Sequence, residues 1–375
     1  MMSHSSASIL ARLKNKAKEE GIAFQQLLNL FFQEEFIRRL AQSDYKEKLI
    51  LKGGFLLYSI SGFTTRPTVD ADYLLKNYSN ELDSVDKLVR SILEKKSQNE
   101  FMEIEIRSIE PISEMKEYNG IRVNLIGYMG KTKTPFSIDF GVGDTIVPSA
   151  LTRTLPVLLD GFEKPTILTY SLESTISEKF DAIIRFMEST GRMKDFYDIY
   201  YLATSFEFEG RKIQEAIYET LSKRRTPYEK DTVQVIERLI TNDAINSRWN
   251  IFCKKVLKYE LSLNEVVRLI ISFLDPPFQA IIEEDELTKN WSSKKGDMNE
   301  KRKCTLLPAF AISVRVIGCV SNAEKLKMLE CQLWSGERSS EEGTAPASST
   351  PGRECWPEES TLRAAVLRRS RRGRR

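Results

Sequence analysis

The stretch LKGGFLLYSISGFTTRPTVDADYLL, Leu51 to Leu75, decides how the first half of the chain is read. Leu49 to Leu51 form a short apolar run suited to a buried strand, Phe55, Leu56 and Leu57 open an apolar stretch suited to a helix, and Gly53-Gly54 make the turn between them. Val69 to Leu75 is predicted as the next strand. Side chains alternate across a strand, so Asp70 and Asp72 share a face, about 7 Å apart along it. Two carboxylates so placed suit a hard divalent cation, Mg²⁺ above all, which takes oxygen ligands from one or two acids and from phosphates. A glycine pair at a helix start lets a phosphate approach backbone N–H groups where the helix dipole favours negative charge.

A third acid stands in Phe136-Ser137-Ile138-Asp139-Phe140, where Phe136, Ile138 and Phe140 take one face and Ser137 and Asp139 the other. Taken alone, Asp139 also fits the outward face of a solvated edge strand. Its company with Asp70 and Asp72 makes it a candidate for the same centre.

Composition bounds the chemistry. The 375 residues, 41% hydrophobic and 29% charged, suffice for two domains and a large core. No apolar run approaches the roughly 20 residues that span a bilayer, and the N-terminus lacks an apolar signal core, so a cytoplasmic protein without membrane association is expected. The only histidine is His4, which removes the imidazole base that Ser-His-Asp and Cys-His hydrolases need. Four of the five cysteines fall after residue 300, at spacings that fit no zinc site. From Lys301 to Arg375 there are 15 Lys or Arg against 8 Asp or Glu, a balance of +7, which leaves −4 for residues 1–300 out of the formal +3.

Periodicity predicts helices over Ile9–Ala17, Ala23–Ala41 and Ser84–Lys96, and strands over Met102–Ile109, Ile121–Gly127 and Phe136–Phe140. From Ser171 the pattern turns helical: Leu172–Glu188, Lys194–Ala203, Arg211–Ser222, Thr232–Leu239, Ser247–Val256 and Leu263–Leu274, the last ended by Pro276-Pro277. The fold class expected is α+β, with a small mixed sheet flanked by helices over 1–168, a helical domain over 169–290 and a low-complexity basic tail without fixed structure over 291–375.

Four blocks, LKGGFLLY with RPTVDADYLL, FSIDFGVGDTI, YSLESTISEKFDAIIRF and GRMKDFYDIYYL, occur in an order and spacing that resembles the AbiEii/AbiGii nucleotidyltransferase toxins, relatives of the DNA polymerase β type fold in type IV toxin–antitoxin and abortive-infection systems. The resemblance covers about residues 45–205 and ends by about 290. It implies metal-dependent transfer of a nucleoside monophosphate from an NTP to a hydroxyl acceptor, especially a tRNA or other RNA 3′ end, with growth inhibition as the outcome and a cognate antitoxin as a partner. By resemblance, Asp70, Asp72 and Asp139 hold Mg²⁺ and Asp139 draws the hydroxyl proton, while Lys179 contacts phosphate. Gly53, Gly54, Arg66, Lys194, Asp195 and Asp198 complete the nucleotide site, with Arg66 either contacting phosphate or balancing carboxylates. Glu178, Lys179 and Asp181 also fit a plain solvated helix face, and Phe196, Tyr197, Tyr200 and Tyr201 a plain core. Two alternatives stand beside this reading: a protein-modifying (AMPylating) transferase, and an NTP-binding protein without turnover.

Overall fold

A computed structural model describes residues 5–95, 99, 101–112 and 120–300. Two helices come first, α1 (Ser6–Glu19), whose N-terminus is capped by the Ser5 hydroxyl accepting from Ser8 N, and α2 (Phe24–Ala41). Then follow β1 (Leu49–Lys52), α3 (Gly53–Ile60), β2 (Ala71–Leu75), α4 (Leu82–Leu93), β3 (Met102–Ile112), β4 (Gly120–Met129), β5 (Thr132–Gly141), β6 (Leu151–Thr154) and β7 (Thr166–Thr169). Among the described residues these strands form one seven-stranded mixed sheet in the order β3-β4-β5-β2-β1-β7-β6, with β2 parallel to β5 and β1 parallel to β7.

One face of the sheet is covered by α2, whose Phe31, Phe32, Phe36 and Leu40 are buried with Tyr73, Val123, Leu125 and Phe140. The alternation of β4 and β5 puts the apolar set on this face and leaves the other polar. Gly127 is required because Phe32 lies where a Cβ would stand. Gly127→Ala is therefore expected to destabilise the protein by about 1–3 kcal/mol, the usual cost of overpacking a core, measurable by denaturant unfolding. Helix α2 is buried on its polar side too: Arg38 pairs with Glu34 and Glu35, Leu158 N donates to Glu34 at 2.7 Å, and burial lifts the Glu34 carboxyl to about 7 against the pull of Arg38.

The second half is helical: α5 (Leu172–Phe186), α6 (Met193–Ser205), α7 (Gly210–Arg224), α8 (Thr232–Val235), α9 (Asp243–Phe252) and α10 (Leu263–Ile282). They share an apolar core of their own, including Phe180, Phe196, Trp249, Phe273 and Phe278. A small sheet joins β8 (Phe208–Glu209), β9 (Lys289–Ser292) and β10 (Asp297–Glu300).

Four expectations need correction. Strands β6 and β7 are not announced by the sequence, because β6 is a short, largely exposed edge and β7 has only four residues; pairing with β1 and a 2.9 Å bond from Tyr170 N to Leu51 O hold β7 in place. Helix α10 runs through Pro276-Pro277 to Ile282. The donors missing at Pro276 and Pro277 would have served the carbonyls of Ser272 and Phe273, while the side chains of Phe273, Leu274, Pro277 and Phe278 are buried, so packing outweighs the two lost bonds. The helix predicted at Thr232–Leu239 is a single α turn, Thr232–Val235, continued by a 3₁₀ turn at Ile236–Thr241, and the one predicted at Ser247–Val256 begins earlier, as α9 from Asp243 to Phe252, and ends in a π turn at Cys253–Leu257. Residues 291–300, assigned to the tail, belong to the β9–β10 hairpin, because buried Trp291 packs 4.7 Å from the Phe273 ring and donates to Ala203 O at 2.7 Å. The basic segment from Lys301 on, with its four cysteines, and His4 lie outside the described residues.

Candidate active site

The register places a row of charges across the polar face of the sheet. Lys52 on β1 stands opposite Asp72 on β2, Asp72 opposite Asp139 on β5, Asp139 opposite Arg122 on β4, and Arg122 opposite Glu110 on β3. Directly opposed residues share a face, so two acids are flanked on each side by a cation. Asp70 lies two residues before Asp72, at the entry to β2.

The diglycine bend lies against this row. Gly53 has φ +70°, and a Cβ on it would overlap the Asp72 carboxylate. A Cβ on Gly54 would stand 2.7 Å from Thr68 Oγ1 and 3.6 Å from Arg66 Nη1. The backbone therefore threads between the acids on one side and Arg66 on the other, a close approach that only glycine allows.

Asp139 sits beside Asp72 but is held by Arg122, whose Nε and Nη2 donate to Oδ1 at 2.8 Å and to Oδ2 at 2.7 Å. Each of its oxygens thus accepts one guanidinium bond, and among the described residues no three acidic, histidine or cysteine side chains are grouped to hold a metal. The expected three-acid centre is reduced in this arrangement to Asp70 and Asp72, neither of which has an ion-pair partner among the described residues. Burial holds the Asp72 carboxyl above its usual range, the charges of Asp139 and Asp70 add to this, and Lys52 and Lys194 oppose it. A carboxylate in that position gains from a cation, and two acids with phosphate oxygens are an ordinary Mg²⁺ ligand set. The donors present fit the ion.

Lys179, expected at phosphate, is instead buried between two carboxylates: its Nζ lies 3.0 Å from Asp195 Oδ1 and 2.5 Å from Asp198 Oδ2. Arg66 makes a bidentate pair with Asp198, 2.6 Å for each bond, and Arg192 Nε meets Asp195 Oδ2 at 2.5 Å. Of the two roles open to Arg66, the one formed is balancing a carboxylate, that of Asp198. Burial works against both acids, yet Lys179 with Arg192 at Asp195, and Lys179 with Arg66 at Asp198, hold them below the usual carboxylate range. Burial likewise opposes the Lys179 ammonium, and Asp198 and Asp195 outweigh it, so its pKa is raised. Asp195 and Asp198, one turn apart on α6, thus serve to fix the cations.

Lys194 is the exception in this cluster. Its side chain is exposed and has no ion-pair partner among the described residues. Partial loss of water and the like charges of Arg192, Lys179 and Arg66 hold its ammonium below the usual value, and its field reaches Asp72. Four cations against two carboxylates leave this side of the bend net positive, so an anion between Lys194 and the acid row would be stabilised.

Three residues of the site escape the sequence reading. Lys52, just before the glycine pair, has its Nζ 2.5 Å from Asp144 and 3.3 Å from Glu178, and 5.1 Å from the Tyr170 ring centre. Arg224 on α7 closes that cluster with Asp144 at 3.1 Å and Asp181 at 3.0 Å, tying the helical half to the first residues of the bend. Arg122 is the third; the alternation of Ile121-Arg122-Val123-Asn124 is the signal that puts it on the acid face.

These features, an acid row and a cation cluster facing each other over a diglycine bend, suit an enzyme that handles a nucleoside triphosphate. The family profile described as nucleotidyl transferase AbiEii toxin, type IV toxin–antitoxin system, matches residues 35–284. The chain belongs to that family, and it is a nucleotidyltransferase. Two solved structures from Helicobacter pylori resemble it at 14% identity: a protein assigned as a nucleotidyltransferase, with a TM-score of 0.41 over 70% of this chain and 98% of that one, and JHP933, with a TM-score of 0.40 over 70% and 95%. No curated relative matches. No helix among the described residues is long and apolar enough to cross a membrane.

Proposed function

We propose that the chain transfers a nucleoside monophosphate from an NTP, in a Mg²⁺-dependent reaction, to the 3′ hydroxyl of a tRNA or other RNA, and that it is the toxin of a type IV toxin–antitoxin pair acting in the cytoplasm. The observation that carries this reading is that Asp70 and Asp72, without ion-pair partners among the described residues, stand with Asp72 against the Gly53 bend and within the field of Lys194, which has no ion-pair partner among those residues either. Asp70 and Asp72 would hold Mg²⁺, which would supply charge neutralisation at the phosphates. Lys194 and the backbone at the start of α3 bind the triphosphate. Lys179 and Arg66 act from behind, fixing α6 and the Arg66 loop so that the charge of Lys194 reaches the acid row. Asp139 takes the proton of the acceptor hydroxyl as its oxygen bonds to the α-phosphorus and pyrophosphate leaves.

Incubation with Mg²⁺, each of the four α-labelled NTPs and total RNA tests the reading. Label is expected in RNA with the wild type and in nothing with Asp70→Ala; label in protein alone would move the acceptor to a protein hydroxyl, and NTP binding without transfer would make the protein a binder. Growth should slow on expression of the wild type and not of Asp70→Ala. Lys194→Met is expected to raise the KM for NTP about tenfold or more without lowering the melting temperature, since one charge-assisted bond to phosphate is worth about 1.5–3 kcal/mol while the lost ammonium is disfavoured by partial loss of water and by its cationic neighbours.

A further inference from the structure

Beside the acid row lies an open groove of about 490 Å³, lined among others by Val69, Arg107, Ser108, Asn124 and Ser137. It continues the catalytic face: Asn124 and Ser137 are the next outward-facing pair on β4 and β5 after Arg122 and Asp139, and Ser108 lies opposite Asn124 on β3. Val69, 53% exposed, immediately precedes Asp70.

Three local features equip the groove. The β3–β4 register shifts between Ile106 and Ser108, so Arg107 is the extra residue of a bulge, a device that re-aims a side chain. Arg107 is exposed and has no ion-pair partner among the described residues. Asn124 uses its amide nitrogen on Ser108 Oγ at 3.0 Å and Glu110 Oε1 at 2.6 Å, which leaves its Oδ1 free to accept from a ligand hydroxyl. Arg122 adjoins them, its side chain 42% exposed while it grips Asp139.

We propose that this groove seats the 3′-terminal nucleotide of the acceptor strand, and that Arg122 is a positioning residue that exchanges its grip on Asp139 for the acceptor phosphodiester. The inference rests on the nucleotidyl-transfer reading above. Two guanidinium groups match a phosphodiester, the Asn124 Oδ1 and the serine hydroxyls match ribose hydroxyls, and the exposed Val69 side chain matches the apolar face of a sugar. With no acceptor bound, Arg122 donates one bond to each oxygen of Asp139. An acceptor phosphate draws Arg122 aside, and the freed carboxylate takes the proton of the 3′ hydroxyl as the new O–P bond forms and pyrophosphate departs. Proton uptake is thereby coupled to acceptor arrival.

The test uses the full chain and a 12-nucleotide single-stranded RNA carrying a 3′-terminal 4-thiouridine, with Mg²⁺–NTP binding measured in parallel. The photo-crosslink is expected on peptides containing Val69, Arg107 or Asn124. Asp139→Asn, which frees Arg122, should raise that crosslink and tighten RNA binding at least threefold, and adding Arg122→Ala should reverse the gain. Arg107→Ala should weaken binding and lower the slope of log K against log salt by about 0.7, as removal of a single cation–phosphate pair does on a single strand, whereas a purely structural residue would leave the slope alone. Arg122→Lys should keep the slope. A crosslink confined to residues 301–375, or RNA binding unaltered in Asp139→Asn and Arg107→Ala, would overturn the inference while intact Mg²⁺–NTP binding left the transferase reading standing. Loss of NTP binding in the wild type would instead count against that reading.

Discussion

Asp72→Asn is expected to lower nucleotidyl transfer by about 10²–10³-fold, the scale on which an enzyme loses activity when one group stabilising the transition state is removed, and at the same time to make the protein more stable at neutral pH. The two effects have one cause. Asp72 is an acid whose ionised form is disfavoured by burial and by Asp139 and Asp70. Its folded pKa lies above the ordinary value of 3.8, so the folded state holds the proton more tightly than the unfolded one. The stability linked to that proton is present below 3.8 and is lost as pH rises through the folded value, so at neutral pH the ionised side chain costs stability that asparagine does not. Thermal melts against pH should show a fall above about pH 4 in the wild type that is smaller in Asp72→Asn. Mg²⁺ with NTP should raise the wild-type melting temperature and leave the variant unmoved, since a ligand stabilises only the state that binds it.

Lys179→Met is expected to cost about 3 kcal/mol of stability, the low end for breaking a buried ion pair, because it removes the ammonium that two buried carboxylates share and leaves Asp195 to Arg192 and Asp198 to Arg66. For a folded unit of this size that is a drop on the order of 10 °C in melting temperature. The pH dependence follows from the same pairs. Asp195 and Asp198 have depressed pKa values, so their contribution is present above 3.8 and is lost as pH falls through the folded values. Lys179 has a raised one, so its contribution holds below 10.5 and is lost only as pH rises through its folded value. In the variant the acid transition should move to higher pH. Adding Asp195→Asn should recover part of the loss, since Asp198 keeps its bidentate Arg66 and the Arg192 side chain, 43% exposed, returns to water. Simple additivity of the two substitutions would show that the ammonium and the carboxylate are not coupled.

The acid pair, the glycine bend and the central strands were legible because each rests on a period or a residue type with a local consequence: alternation over β2, β4 and β5, and a φ that only glycine takes readily at Gly53. Partnership was not legible. Lys179 and Lys194 both stand in charged helical runs, and which one is buried depends on how α5 and α6 pack, with Phe180 and Phe196 turned into the same core. The hold of Arg122 on Asp139 depends on the β4–β5 register, which appears only when the strands are paired. Tertiary burial overrode local signals elsewhere too, keeping α10 helical through two prolines and drawing Trp291 under Ala203 at the start of a segment whose composition reads as tail.

A structure of the full chain with Mg²⁺ and a non-hydrolysable NTP is the most direct trial of the arrangement argued for the site. The triphosphate should lie over Gly53-Gly54, with the ion on Asp70 and Asp72 and Lys194 on a phosphate oxygen. A nucleotide bound away from the bend, or a triphosphate held by Lys179 with its pairs to Asp195 and Asp198 broken, would contradict it.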